Sequence, residues 1–407
     1  VTGQPCRGCG HGTELVLDLG GHYLPDFILP GEPRGARYPL QLVLCPACTL
    51  LQLDGTVPRD ALYHERYGFR SGTNEAVRAD LQDVVSYALG TLPAPRRHLP
   101  EPPRWLDIAC NDGTLLGAVP ARIRRTGVDP LAHLAGQVWA AGADRVVSGY
   151  FSPDSFEPRS FEVVTSVSMF YDLDDPGAFC CGVREVLARR GAWVIQQNYS
   201  LAMLANNAAD NICHEHVTYF SVTSLAPLLA AHGLEINDVT RSAVNGGCFR
   251  TLVSRRGERE VRPSVAAALA AEEAAGLGSP ETWERWGKEV AAELGKTRDF
   301  LEQAKAGGES VWLYGASTRG GTLLQMIGAG PDLLPFAAER SPAKVGRVMA
   351  ATGIPIVSEE AMREARPDYL LVSPWFFRDV FVEREKDYLA AGGRMVFPLP
   401  EFGVVSR

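Results

Sequence analysis

Between Arg104 and Arg255, apolar runs of strand length alternate with stretches whose apolar residues recur at helical spacing, which predicts a parallel sheet with helices on both faces. The strands read as RWLDIAC, RTGVDP, RVVSG, FEVVTSVSM and GAWVIQQN, with helices after Gly113, through 131–141 and over 177–189. The segment SVTSLAPLLAAHGLEINDVTRSAVNGGCFRTLVSR adds a helix and two strands, expected as the antiparallel end of that sheet. A second alternation starts at SVWLYGAS and continues through a helix from Thr322, LLPFAAER, GIPIVS, a helix over 359–365, DYLLVSP, a helix over 378–391 and GRMVFPLP. It predicts a second doubly wound unit. Between the two, Ser279-Pro280-Glu281 reads as a helix start, with Ser as N-cap and Pro at the first helical position. Trp283, Trp286, Val290, Leu294 and Leu301 then form one apolar stripe. Ahead of both units, LVLDLG and YPLQLVLC suit strands, Asn74 to Leu89 is helical, and TLPAPRRHLPEPP is a Pro-rich connector.

A chain of 407 residues exceeds one ordinary core, and the pattern divides it into 1–73, 74–257 and 258–407, the last with a linker helix over 279–306. Net charge is −8 with Lys and Arg dispersed, so no nucleic-acid surface is expected, and no apolar run is long enough to span a bilayer. An acidic chain of this kind can still bind anionic metabolites through helix ends and single arginines.

Nine cysteines change the picture. Cys6 and Cys9 in CRGC and Cys45 and Cys48 in CPAC have zinc-ribbon spacing, two Cys-x-x-Cys turns that complete a tetrahedral thiolate set. Four sulfur ligands leave no place for water, so the metal would be structural. Two disulfides are the competing reading; the unpaired spacing of the other five cysteines and the absence of a signal segment before Cys6 favour a reducing cytoplasm.

The run Trp105 to Gly113 is a buried strand entering an acidic turn that opens a helix, and in doubly wound sheets such turns face the ligand. Asp129, at the end of the next strand, is placed to accept from two ribose hydroxyls. That suits S-adenosylmethionine or NAD, and the turn decides: pyrophosphate requires G-x-G-x-x-G, of which only Gly113 is present. S-adenosylmethionine is therefore expected, with Asp107, Asn111 and Gly113 near its methionine part, Asp129 on the ribose and Phe151 beside the adenine. The segment Asn211 to Tyr219 is the densest titratable cluster, and its HEH spacing excludes an HExxH metal helix. If extended, His214 and His216 share one face and Glu215 takes the other. A histidine there suits acid–base work near neutrality, while two histidines satisfying buried backbone groups is the plainer alternative. In Gly315-Ala316-Ser317-Thr318-Arg319-Gly320 a strand opens into a helix whose N-terminus could hold a diphosphate, with Lys344 and Arg347 as further contacts, or could be a plain Rossmann-like loop.

With CRGC, CPAC, YGFRSGT, DIACNDGTLL, ICHEHVTYFS, NGGCFR, YGASTRGGTLLQ, ERSPAKVGR, GIPIVSEE and GGRMVFPLPEF in this order, the chain resembles the nucleotide-sugar C-methyltransferases of deoxysugar biosynthesis along nearly its whole length. The resemblance implies an α/β protein with an N-terminal zinc-binding domain, a central Rossmann-like class I methyltransferase domain and a C-terminal Rossmann-like domain. It further implies a dTDP-linked ketosugar held between them, S-adenosylmethionine and Zn²⁺ as cofactors, and a monomer. By the same likeness His216 is the general base, with Glu215 and His214 orienting it or binding substrate, and Tyr63, Arg70, Ser317, Thr318, Arg319 and Lys344 form the substrate-binding set. Two positions depart from the family: Cys213 and Phe69 stand where better-known members carry tyrosine. Tyr219 or Tyr63 is expected to supply the missing phenol, and Tyr67 lies two residues before Phe69. Loss of the phenols also motivates a competing reading as a nucleotide-sugar ketoreductase or tautomerase, and a non-catalytic sugar-nucleotide binder is a third.

Overall fold

A computed structural model describes residues 3–58, 61–62, 69–92 and 102–406. Tyr63 and Tyr67 lie outside the described residues. Three principal sheets organise the chain. The central one has seven strands in the spatial order 234–242, 248–255, 187–198, 161–167, 104–108, 124–129, 145–148. Its five strands from 187–198 to 145–148 are mutually parallel, and the two at the other edge are each joined by antiparallel pairing, so that 248–255 alone runs opposite to the rest. The chain order reverses between 104–108 and 161–167, so a crevice is expected beyond their carboxyl ends. One apolar cluster under this sheet contains Trp193, Phe170, Phe249 and Val183, and another on the opposite face joins Trp105 and Leu116 to Leu81, Val84 and Val85 of the helix Glu75–Leu89. Asn74 caps that helix by accepting from Ala76 N.

The C-terminal sheet has six strands in the order 356–358, 337–339, 311–314, 369–372, 394–397, 403–405, parallel except for the last. The helix Pro280–Ala306 buries the stripe Trp283, Trp286, Val290, Leu294 and Leu301. It approaches the N-terminal strand Glu14–Tyr23 so closely that a Cβ on Gly287 would lie 2.9 Å from Leu17 Cδ1. Leu40, Leu42 and Leu44 of the N-terminal sheet therefore share one continuous core with Trp283, Leu313 and Val372.

The N-terminal sheet is completed from elsewhere in the chain. Its fourth strand is Thr218–Tyr219, directly after the HEH triplet, paired antiparallel with Leu51 and Gln52. A short ladder between Val348–Met349 and Phe27–Ile28 ties the first and last domains in the same way. Together these pairings tie the N-terminal sheet both to the segment that follows the HEH triplet and to the C-terminal domain. Among the described residues no helix is long and apolar enough to cross a membrane.

Several expected boundaries shift. Ser279 precedes the long helix, but its hydroxyl donates to the Glu281 carboxylate and does not cap the backbone. The helix expected from Thr322 begins at Thr318 because Ser317 caps it, and the span 378–391 divides into Arg378–Arg384 and Lys386–Ala390. The helix expected over 177–189 ends at Val186, where the chain passes straight into the strand Leu187–Asn198.

Candidate active site

Cys6, Cys9, Cys45 and Cys48 converge, with all four Sγ atoms within 4.8 Å of one another. The closest pairs, Cys6–Cys48 and Cys9–Cys45, are 3.4 and 3.5 Å apart and none of the four is in a disulfide. A tetrahedral zinc with Zn–S bonds of about 2.3 Å spaces its sulfurs by about 3.8 Å, so the set fits with small adjustment. The Cys6 thiol is lowered to about 5 because the Cys48 thiol and the Gly8 amide hydrogen-bond to its sulfur, against the effect of burial. Thiolate at this position is the form zinc requires.

Beyond the carboxyl ends of the central strands lies a cavity of about 440 Å³, within the size range of cofactor sites. Asp107, Asn111, Asp129 and Phe151 all line it. Asp129 Oδ2 accepts from Asn111 N and Oδ1 from Leu131 N, both at 2.8 Å. These bonds fix the carboxylate at the strand end with acceptor capacity left for hydroxyls. Burial raises its pKa, against the pull of those two amides and the nearby Arg70 and His133. Asp107, held by Thr165 Oγ1 at 2.6 Å, is pushed up to about 7 by burial. Phe151 sits between Phe179 and Phe156, at 5.3 and 6.1 Å between ring centroids, and offers an aromatic edge to a planar base.

Gly113 is not in the wall of this cavity. Its φ of +80° and a Cβ position only 2.9 Å from Val138 Cα make glycine a requirement of the turn and of helix packing. Arg70, expected on the substrate, lies instead at the cofactor rim, where Nη2 meets His133 Nε2 at 2.9 Å. Its neighbours Ser71 and Gly72 donate through backbone N–H to Asn111 Oδ1 and Asp112 Oδ2, clasping the turn.

The HEH triplet is not extended. His216 N donates to Cys213 O at 3.0 Å, so residues 213–216 form a tight turn and the two-residue strand period does not apply. The histidines consequently diverge. His214 points to the N-terminal sheet, with Nε2 3.3 Å from Tyr38 O, and burial lowers its pKa. His216 is 8% exposed, and its Nδ1 lies 2.9 Å from Asn211 O. A carbonyl only accepts, so Nδ1 carries the hydrogen and Nε2 is the basic atom. Burial first, then the positive charge of Arg319, lower the His216 pKa to about 3.

His216 does not line the 440 Å³ cavity itself but packs against Tyr171, whose neighbours Met169 and Asp172 do. Arg319, whose charge acts on the imidazole, donates through Nη1 to the carbonyl of Asn245, also in the wall, at 2.8 Å. Arg319 is not free for a diphosphate: Nη2 pairs with the buried Asp210 at 2.6 Å and the guanidinium lies over Phe376. Ser317 is spent as an N-cap for Gly320, while Lys344 Nζ donates to Ala316 O at 2.8 Å and faces Glu339 at 3.4 Å. Ser317, Thr318 and Lys344 are thus brought to one loop, with the cation already anchored. Of the two departures, Cys213 is fully buried with its thiol pushed well above the usual range, and Phe69 is half-exposed at the cavity rim. Tyr219 is buried opposite Leu51, its phenol raised well above the ordinary value by burial.

The fold and cavity are those of an S-adenosylmethionine-dependent methyltransferase, and residues 74–239 match the methyltransferase domain family. Residues 243–400 match the C-methyltransferase C-terminal domain and 6–63 a zinc binding domain. The chain belongs to the C-methyltransferase family: it is 30% identical to C-methyltransferase NovU of Streptomyces niveus over 98% of this chain and 96% of that one. Among solved structures, the 1,6-didemethyltoxoflavin-N1-methyltransferase of Burkholderia thailandensis is similar at 15% identity, over 53% of this chain and 95% of that one, with a TM-score of 0.37. YcgJ of Bacillus subtilis is similar at 15% identity, over 44% and 99%, with a TM-score of 0.34. The cofactors are S-adenosylmethionine and structural zinc.

Proposed function

We propose that the protein methylates a carbon adjacent to the ketone of a nucleotide-linked sugar, with dTDP as the nucleotide, acting as a cytoplasmic monomer. The observation that carries this reading is the His216 imidazole: Nδ1 is tied to Asn211 O, Nε2 is left basic, and the ring packs on Tyr171, whose neighbours line the cofactor cavity. A carbon beside a carbonyl becomes nucleophilic only when it loses a proton, so His216 Nε2 takes that proton and Glu215 and His214 hold the turn. Asp129 would grip the ribose hydroxyls, Phe151 the adenine, and Asp107 and Asn111 the methionine end. The cofactor supplies an electrophilic methyl group on a sulfonium, for which alignment with the carbanion provides much of the rate.

Arg319 has a second role in this reading. Together with burial, its charge makes His216 a weak base. Incubating the protein with S-adenosylmethionine and a panel of dTDP-ketosugars tests the reading by mass spectrometry. A product one methyl group heavier is expected; no product with any ketosugar, or NAD(P)H consumption without a methyl donor, would refute it.

A further inference from the structure

Base-catalysed carbanion formation needs a donor for the enolate oxygen, and neither Cys213 beside the proposed base nor Phe69 at the cavity rim offers a phenol. Tyr219 answers poorly, because its phenol faces the backbone of Cys213 and no residue of its strand lines the cavity. Another phenol lies against the base. Tyr171 follows the carboxyl end of the strand Phe161–Val167, and its ring centroid is 4.3 Å from that of His216 at an interplanar angle of 63°. The placement is fixed from both sides: Tyr171 O accepts from Val217 N at 3.0 Å and from Thr218 Oγ1 at 3.1 Å, binding this turn to the residues just after His216. The phenol itself lies behind the cavity wall and meets the side chain of Ser168, which with Met169 and Asp172 lines the cavity, so the substrate oxygen would take the place of Ser168 as its partner.

We propose that Tyr171 is the proton-bearing partner of His216, donating a hydrogen bond from its phenol to the ketone oxygen of the substrate. As Nε2 removes the proton from the neighbouring carbon, the C–H electron pair passes into the enolate and its oxygen charge is met by the Tyr171 hydroxyl. The phenol keeps its proton throughout, so the step needs no further reactant. The environments of the two side chains agree with this division of labour: burial and the Asp172 carboxylate push the phenol well above its ordinary value, while burial and Arg319 keep the imidazole neutral. The inference rests on the proposed C-methylation.

Tyr171→Phe keeps the ring against His216 and removes only the hydroxyl. Loss of one oxyanion donor should lower kcat for methyl transfer by about 10²–10³-fold. KM for the ketosugar and the affinity for S-adenosylhomocysteine, read by calorimetry, should stay within about threefold, the KM–kcat split of a group that acts in the transition state. A kcat within threefold of wild type would overturn the role of Tyr171 while leaving C-methylation intact. Parallel loss of S-adenosylhomocysteine binding would also overturn it, by making the hydroxyl a support of the cavity. A wild-type protein silent on every ketosugar would remove the functional reading and this inference together.

Discussion

The ion pair between Arg319 and Asp210 joins the C-terminal domain to the segment just before the HEH turn, and breaking it should affect both stability and the His216 imidazole. The two groups meet at 2.6 Å with side chains 13% and 1% exposed, and Asp210 also accepts from Trp375 Nε1 at 3.1 Å. Arg319→Met leaves a carboxylate with almost no contact with water and no counter-charge. Removing one member of a buried pair costs about 3–5 kcal/mol. Asp210→Asn keeps the Trp375 bond but strands the guanidinium, so a cost at the low end is expected. In the double variant neither charge remains, and its loss should fall short of the sum by about 1–3 kcal/mol. Urea unfolding followed by tryptophan fluorescence reads the cycle. NMR of the imidazole reads the second effect: without the Arg319 charge the His216 pKa should rise from about 3, staying below 6.5 because burial remains the larger cause. Additive losses within about 0.5 kcal/mol, or an unmoved imidazole, would refute the coupling.

Three further outcomes are expected. Asp129→Ala removes the carboxylate held by Asn111 and Leu131 amides and should weaken S-adenosylhomocysteine binding by about 10–100-fold in calorimetry; unchanged affinity would displace Asp129 from the ribose. His216 is depressed to about 3 against 6.5 in an unfolded chain, so the unfolded state takes up its proton first. The stability this group contributes is complete above pH 6.5 and declines as pH falls toward 3, by at most about 1.4 kcal/mol per unit; a His216 imidazole found charged by NMR at pH 5 would contradict the burial argument. Elemental analysis should find one zinc per chain, and Cys45→Ser, at a fully buried ligand, should lower both metal content and Tm, whereas an unaltered metal content would exclude the four-sulfur site.

Local pattern revealed what is local. The strand-end position of Asp107, Asn111 and Asp129 follows from alternation of strands and helices, and the structure places all three at one cavity with Phe151. Paired Cys-x-x-Cys turns likewise announced their convergence. The one-face arrangement of His214 and His216 held only for an extended chain, and the hydrogen bond from His216 N to Cys213 O makes the segment a turn, which the residues alone do not reveal. Gly113 was legible as a special residue, but its purpose, clearance for Val138, depends on a helix 25 positions away. Tyr171 stood unnoticed in FYDLDD because nothing in that run reports a contact with a ring 45 residues later. The strand Thr218–Tyr219 completes a sheet begun near residue 14, a pairing across domains that no window of sequence displays. Arg319 appeared as a loop cation, and its partner Asp210 lies in another domain altogether.

The account turns on proton removal by His216, and exchange with solvent reads that step without methyl transfer. With S-adenosylhomocysteine bound and a dTDP-ketosugar in D₂O, the wild-type protein should place one deuterium on the carbon next to the ketone, and His216→Asn should place none above background. Wild-type exchange rates in His216→Asn, with the cofactor still bound, would contradict it.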